Sequence, residues 1–137
     1  MDVAKKIFII EDSKMFALRL KSELENSFPD EKFEVFIFEN GETCEGHLHL
    51  NPDLAIVDYH LDSKNQNAMN GLDLIDVMRK SCPETDFIMV TMDEQTELFL
   101  RSKEHDIYDY LIKNSNLSFT LNLSVSHWLK TKALHPS

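Results

Sequence analysis

Short apolar runs alternate along the chain with longer segments in which apolar residues recur every three or four positions. Uninterrupted apolar runs of about four residues are typical of strands that are buried on both faces of a sheet. The predicted strands span residues 6–10, 33–38, 54–57, 87–91 and 108–112. Because strands that alternate with helices indicate βαβ units, the pattern predicts an α/β fold with a parallel sheet.

The segments between the runs have the spacing of amphipathic helices. Phe16, Leu20 and Leu24 recur at every fourth position after the first strand, and Ser13 precedes them as a plausible N-cap. A later helix carries its apolar residues at Leu74, Ile75 and Met78.

Two shorter helices are predicted from weaker signals. One covers residues 42–50, after the turn at Asn40-Gly41, and the pair Asn51-Pro52 ends it. The other covers residues 94–103 and is mostly polar, with Leu98 as its main apolar anchor. Residues 61–70 contain turn formers and no apolar period, so we expect a loop there.

The last segment fits either of two structures. A strict alternation, typical of a strand, runs through Leu117, Phe119, Leu121, Leu123 and Val125. A stripe at every fourth position, typical of a helix, contains Leu117, Leu121, Val125 and Leu129. Because a sheet with helices between its strands needs a closing helix, we favour the helix.

Composition narrows the class of protein. The chain has 137 residues, the size of one domain, and we expect residues 1–137 to fold as a single unit. A net charge of −10 argues against binding to nucleic acid or to an anionic membrane surface, since both require a basic face. Cys44 and Cys82 match no zinc-site spacing, so we interpret them as free thiols of a cytoplasmic protein. The first apolar run is too short for a signal peptide or a membrane span.

Polar side chains stand at the C-terminal ends of the predicted strands. They are Glu11 and Asp12 after the first strand, Asp58 after the third, Thr91 at the end of the fourth, and Lys113 after the fifth. In a parallel sheet these ends line one crevice, where ligands bind. Carboxylates placed close together repel one another and call for a cation such as Mg²⁺. A lysine and a hydroxyl beside them suit a phosphoryl group.

In this order and spacing, these residues resemble the receiver domain of two-component response regulators. The matching pieces are Glu11-Asp12, Asp58, Gly71-Leu72, Thr91 and the string YDYLIK that runs from Tyr108 to Lys113. The resemblance covers essentially the whole chain. It implies a doubly wound, flavodoxin-like sandwich with five parallel strands in the order 2-1-3-4-5, flanked by five helices.

The resemblance also implies roles for the acidic residues. Asp58 would accept a phosphoryl group, Asp12 would bind Mg²⁺ directly, and Glu11 would bind it through water. The backbone carbonyl of His60 would complete the protein's share of the metal ligands. For the imidazole of His60 two interpretations stay open, since it could tune the lifetime of the acyl phosphate or be a solvated loop residue.

The remaining implied roles concern switching. Thr91 and Lys113 would contact phosphoryl oxygens, and Tyr110 would be the aromatic residue that turns inward when Thr91 moves. The implied function is signal relay from a sensor histidine kinase or a histidine phosphotransfer protein to an unknown output protein. Output would pass through the fourth helix, fifth strand and fifth helix. The chain would not be an enzyme beyond catalysing its own phosphorylation and slow dephosphorylation.

Several residues depart from the family pattern. Asn114 stands where the family usually has proline after a cis bond, and Met92 stands where a small residue is usual. Asp106-Ile107 replaces a Gly-Ala pair, and the loop after Asp58 is long and lacks the usual proline. These departures keep open an alternative, a pseudo-receiver that binds partners without being phosphorylated.

Two further classes are weaker alternatives. An aspartyl-phosphate hydrolase would carry its nucleophile on the first strand and an acid two residues later, where this chain has Asp58 on the third strand and His60 at the second position. A flavin-binding module of the same fold would need a phosphate-cradling Ser/Thr/Gly loop after the first strand, which the sequence does not contain.

Overall fold

Strands and helices alternate along the chain in the computed structural model, which describes residues 3–61, 69–101 and 106–134. In chain order the elements are β1 (Lys5–Ile10), α1 (Lys14–Ser27), β2 (Phe33–Phe38), α2 (Gly41–Glu45), a 3₁₀ turn (Leu48–Leu50), β3 (Leu54–Asp58), α3 (Gly71–Ser81), β4 (Asp86–Thr91), α4 (Glu94–Arg101), β5 (Asp109–Ile112) and α5 (Leu117–Leu134). The limits of every predicted strand lie within one residue of those observed.

The strands form one parallel sheet in the order β2-β1-β3-β4-β5, which confirms the predicted fold and strand order. Ile9 of β1 pairs with Ile56 of β3, which pairs in turn with Ile88 of β4. At the C-terminal end of the β1–β3 pair, Ile10 lies opposite Val57. The C-terminal ends of neighbouring strands therefore lie level at one edge of the sheet.

Each face of the sheet carries its own buried layer, because successive strand residues point to opposite faces. Ile7 and Ile9 pack on the side covered by α1 and α5. Phe8 and Ile10 pack on the side covered by α2, α3 and α4. Helices on both faces explain why the strands read as uninterrupted apolar runs rather than as an alternation.

Side chains that precede the helices define where two of them begin. Ser13 is the N-cap of α1, as predicted, and its Oγ accepts a hydrogen bond from the Phe16 N–H at 3.2 Å. Asn70 and Asp73 form a capping box at α3, in which each side chain accepts from the other's backbone N–H at 2.9 and 3.2 Å. Such caps satisfy N–H groups that have no partner within the helix.

The prediction of one helix over residues 42–50 is wrong. The segment divides into α2, which ends at Glu45, and the separate 3₁₀ turn at Leu48–Leu50. The break falls next to a glycine, which disfavours a helix by about 1 kcal/mol relative to alanine. The predicted stop is confirmed, since Asn51 has a φ of 52° and the residue before Pro52 is sterically kept out of the α-helical region.

The buried residue of α4 is Leu100 rather than Leu98, which corrects the predicted anchor. Leu98 is 65% exposed, whereas Leu100 is fully buried in the layer that contains Met89 and Tyr110. The segment has so few apolar residues that their spacing does not identify its inner face. The predicted helical end at Lys103 lies outside the described residues.

The last segment is a helix, as favoured over the alternative strand. Leu117, Leu121 and Val125 are buried, whereas Phe119 and Leu123, which a strand would place on the same face, are exposed. Although α5 has 18 residues, neither it nor any other helix in the described ranges is long and apolar enough to cross a membrane.

Candidate functional site

Polar residues from four strand ends meet at the C-terminal edge of the sheet. They are Glu11 directly after β1, Asp58 at the end of β3, Thr91 at the end of β4, and Lys113 directly after β5. Glu11 and Asp58 are each 3% exposed, and Thr91 is fully buried. The strand order brings together the residues that the sequence placed at the strand ends.

The ammonium group of Lys113 bridges the two buried carboxylates. Its Nζ lies 3.0 Å from each Glu11 oxygen and 3.1 Å from Oδ2 of Asp58. It also lies 4.4 Å from the centre of the Phe16 ring, which comes from the first turn of α1. One ammonium group therefore lies against two buried carboxyl groups.

Burial and the nearby Asp58 carboxylate raise the pKa of Glu11 to about 8 from its ordinary 4.5, and Lys113 opposes part of this shift. Burial lowers the pKa of Lys113, but the carboxylates of Asp58 and Glu11 outweigh that effect, and the net shift is upward. The arrangement thus favours a proton or a further cation on the carboxylates, because one ammonium does not balance both of them.

A possible metal site shares these two buried carboxylates and adds Asp12. Glu11, Asp12 and Asp58 each offer a carboxylate oxygen, and these oxygens lie within 4.8 Å of one another. Asp12 is exposed, so the group opens to solvent. Hard carboxylate oxygens with room for water are the ligands that Mg²⁺ prefers, and the donor set therefore fits this ion.

The backbone of His60 lies beside the acidic group, and its side chain points outward to the surface. Its N–H donates to Oδ1 of Asp58 at 3.2 Å, while the residue is exposed and its ring contacts Tyr59 edge-on at 4.8 Å. The two Asp58 oxygens therefore face different donors, the His60 N–H and the Lys113 ammonium.

Gly71 allows the chain to pass close behind Asp58. A Cβ at this position would lie 2.6 Å from the Asp58 carbonyl oxygen and 2.9 Å from Cα of Tyr59. The Gly71 N–H donates to the Tyr59 carbonyl at 2.9 Å and joins the start of α3 to the end of β3. The sequence marked this glycine only as a family match, since a close backbone approach leaves no signal in the pattern. Most of the predicted 61–70 loop, residues 62–68, lies outside the described residues.

The loop after β4 is organised by Thr91 and Asp93. The Thr91 Oγ donates to the Asp93 carbonyl at 3.1 Å, and Oδ1 of Asp93 accepts from the Thr96 N–H at 2.7 Å. The Thr96 hydrogen bonds lower the pKa of Asp93. Asp93 thus begins α4, a structural role that the sequence analysis missed. Met92, between them, is 62% exposed.

Tyr110 lies inside the molecule, on the α4 side of the sheet. Its side chain is 8% exposed and packs in the layer that contains Met89 and Leu100. The guanidinium carbon of Arg101 lies 5.0 Å from the centre of its ring. Burial raises the pKa of the Tyr110 hydroxyl, and the charge of Arg101 opposes this shift.

The peptide bond between Lys113 and Asn114 is trans, as are all the peptide bonds of the described residues. The Asn114 side chain accepts from the Asn116 N–H at 2.9 Å, and the Asn114 N–H donates to the Ile112 carbonyl at 2.9 Å. The Lys113 N–H donates to the Thr91 carbonyl at 2.7 Å, which keeps Lys113 level with the end of β4.

A parallel sheet of this order, with an acidic group, a buried threonine and a lysine at its carboxyl edge, defines a flavodoxin-like protein of the receiver class. The response regulator receiver domain model matches residues 7–122, and the chain belongs to this family. No curated protein matches the chain in sequence.

Solved structures of receiver domains share the fold of this chain. A response regulator receiver domain protein from Clostridium thermocellum is 19% identical over 95% of this chain and 98% of its own, with a TM-score of 0.75. A CheY-like receiver domain protein from Methanospirillum hungatei JF-1 is 23% identical over 96% and 98%, with a TM-score of 0.71. The signal receiver domain of a modulated diguanylate cyclase from Desulfovibrio desulfuricans G20 is 26% identical over 96% and 98%, with a TM-score of 0.72.

Proposed function

We propose that the chain is a phosphoacceptor that receives a phosphoryl group on Asp58 from a sensor histidine kinase or a histidine phosphotransfer protein. One observation carries the proposal. Oδ2 of the nearly buried Asp58 lies 3.1 Å from the Lys113 ammonium. Asp58 also belongs to a cluster of three carboxylates, with Glu11 and Asp12, whose oxygens lie within 4.8 Å of one another. This site joins an oxygen nucleophile, a fixed positive charge and a set of cation ligands.

The residues suit the transfer of a phosphoryl group. An Asp58 oxygen forms a bond to phosphorus while the bond from phosphorus to the donor's histidine nitrogen breaks, and that nitrogen keeps the electron pair and takes up a proton. Lys113 offsets the charge on the phosphoryl oxygens, and Thr91 offers its hydroxyl to one of them. Bound at Glu11, Asp12, Asp58 and the His60 carbonyl, Mg²⁺ would supply further charge neutralisation.

The response to phosphorylation would begin at Thr91. Its hydroxyl now donates to the Asp93 carbonyl, so a phosphoryl oxygen would compete for the same hydrogen and displace the loop before α4. Tyr110 adjoins this region in the layer under α4. A groove of about 630 Å³, lined by Tyr110, Asn114, Leu123 and other residues of α4, β5 and α5, would bind the output protein.

We further propose that the chain acts in the cytoplasm and catalyses no reaction on other molecules. The turnover it supports would be its own phosphorylation and the slow hydrolysis of phospho-Asp58.

One contact favours the pseudo-receiver as a second candidate. The Lys113 ammonium lies 3.0 Å from both Glu11 oxygens and donates hydrogen bonds to them. In this arrangement it is paired with a carboxylate that the metal would use. A site closed in this way would leave fewer carboxylate oxygens for an ion and would leave Asp58 unreactive.

Intact-mass spectrometry after treatment with a small acyl phosphate separates the two candidates. We expect the gain of one phosphoryl group with Mg²⁺ and no gain with a chelator. Asp58→Asn should abolish the gain. Asp76→Asn, a change at an exposed acid on α3, should keep the gain and is the matched control for it. An unmodified wild-type mass under all conditions would support the pseudo-receiver and overturn the proposal.

A further inference from the structure

The ring of Phe16 lies against the ammonium group of Lys113. Nζ of Lys113 lies 4.4 Å from the centre of the ring, which comes from the first turn of α1. The same Nζ lies 3.1 Å from Oδ2 of Asp58 and 3.0 Å from each Glu11 oxygen. An aromatic ring and two carboxyl groups therefore contact a single cation.

The loop after β1 fixes the position of the ring. The Phe16 N–H donates to Oγ of Ser13 at 3.2 Å, and the Ser13 N–H donates to Oε1 of Glu11 at 3.3 Å. The Phe16 side chain is partly buried and packs against the layer that contains Ile9 and Leu117. One capping residue thus connects the ring to a carboxylate that contacts the same ammonium.

Lys113 has room to move away from Asp58. Its side chain is 21% exposed, and a lysine carries its charge on a flexible four-carbon stem. Lys113 and Phe16 both line a cavity of about 310 Å³ between α1 and α5, and the carboxylate of Glu23 lines the same cavity. A smaller residue at position 16 would enlarge this space and would let the ammonium turn away from Asp58.

An aromatic ring can hold the ammonium without adding charge to the site. The negative face of the ring attracts a cation, more strongly where water is excluded. A further carboxylate in its place would repel Glu11 and Asp58 and would itself take up a proton or Mg²⁺. Because the ring does neither, the ammonium stays available to Asp58.

We propose that Phe16 is a positioning residue that holds the Lys113 ammonium against Asp58. The place of Phe16 in the apolar stripe of α1 accounts for its burial but not for its contact with a cation. The consequence for phosphoryl transfer rests on the proposed function, whereas the position of the ammonium does not.

Proton NMR measures the position of Lys113 relative to the ring, because protons over an aromatic face are shifted upfield. The ε-methylene signal is assigned with Lys113→Arg, and spectra are recorded without phosphoryl donor on variants checked for folding by circular dichroism. We expect an upfield signal in the wild type and in Phe16→Tyr, and the loss of this shift in Phe16→Leu. An identical signal in the wild type and folded Phe16→Leu would overturn the proposal.

Phe28, near the other end of α1, provides the matched control. It packs against the same buried layer, but its ring contacts the Phe33 ring edge-on, with the centroids 6.2 Å apart. Phe28→Leu therefore removes a ring from the same layer and should leave the Lys113 signal as in the wild type.

Fluorination separates the charge distribution of the ring from its packing. Trifluorophenylalanine nearly keeps the shape of phenylalanine but weakens the negative face that attracts a cation. With a small acyl phosphate and Mg²⁺, we expect the chain substituted at Phe16 to gain its phosphoryl group several-fold more slowly than the wild type. The chain substituted at Phe28 should match the wild type. Intact-mass spectrometry measures the initial rates.

Equal rates for the wild type and the chain fluorinated at Phe16 would overturn the proposal. If Phe16→Leu does not fold, the fluorinated chain replaces it in the NMR comparison, and an unchanged Lys113 signal overturns the proposal there. A wild-type chain that accepts no phosphoryl group would refute the proposed function, and the NMR comparison would still decide the position of Lys113.

Discussion

Lys113 shows what residue-level reasoning could and could not predict. Its position after the last strand predicted that it would meet Glu11 and Asp58, and it does. The sequence did not predict that the ammonium would contact both oxygens of Glu11, because that geometry depends on side-chain rotamers and on the depth of burial. It also gave no sign that Asp93 begins α4 or that Gly71 lies against the Asp58 backbone.

The raised pKa of Glu11 predicts a pH dependence of stability. Because this pKa is about 8 in the folded chain and 4.5 ordinarily, the folded state holds the proton more tightly than the unfolded state. The resulting stability is present below about pH 4.5 and is lost as the pH rises through about 8. In urea unfolding without metal, the wild type should therefore lose free energy of unfolding relative to Glu11→Gln over this interval.

Two controls sharpen this measurement. Glu34→Gln, a change at an exposed residue of β2, should show the same pH profile as the wild type. Millimolar Mg²⁺ should reduce the loss near pH 8, because the ion replaces the proton on the carboxylates. Parallel profiles for the wild type and Glu11→Gln would show that Glu11 is not buried against Asp58 in solution.

His60 provides a prediction about the lifetime of phospho-Asp58. Its N–H contacts Asp58, and its imidazole lies on the exposed surface against Tyr59. His60→Ala should therefore leave Mg²⁺ affinity and the extent of phosphorylation near normal and change the rate of dephosphorylation several-fold. The rate is measured by the loss of the phosphorylated mass after removal of the donor, with His49→Ala as a control. Identical decay rates would identify the imidazole as a solvated loop side chain.

At the scale of elements, all five helices were predicted, but the details of the two short ones, α2 and α4, were not. α1 and α3 have apolar residues at helical spacing, so one buried face stands out. α5 has the same spacing but also a strand-like alternation, and the need for a closing helix decided between them. In α4 too few apolar residues are present, and tertiary packing selects Leu100 over Leu98. The segment 42–50 divides in two for a similar reason, since local propensity is weak next to a glycine.

The two leucines of α4 form a matched pair for a stability test. Leu100→Ala removes a fully buried side chain between α4 and the sheet, and should lower the free energy of unfolding by about 2–5 kcal/mol. Leu98→Ala changes a residue that is 65% exposed, and should shift the free energy of unfolding by at most about 0.5 kcal/mol. Both values come from urea unfolding under one set of conditions. Equal effects, or a larger effect at Leu98, would show that α4 packs through a different face.

At the scale of the whole molecule, the fold and the site follow from the same feature of the sequence. Apolar runs that lack alternation indicate a covered parallel sheet, and the carboxyl ends of such a sheet lie at one edge. Polar residues at the ends of the predicted strands were therefore expected to meet. Glu11, Asp58 and Lys113 do, and Thr91 is joined to Lys113 through the backbone. Contacts between side chains far apart in sequence, such as Arg101 with Tyr110, depend on the assembled core and could not be predicted.

The most direct test of the central claim locates the phosphoryl group on the chain. Borohydride reduces an aspartyl phosphate to homoserine, so peptide mass spectrometry after donor treatment with Mg²⁺ identifies the modified residue. We predict homoserine at position 58 in the wild type and none anywhere in Asp58→Asn, since an amide cannot act as the nucleophile. Reduction at another carboxylate, or a wild-type chain that yields no homoserine after treatment, would contradict the assignment of Asp58 as the phosphoacceptor.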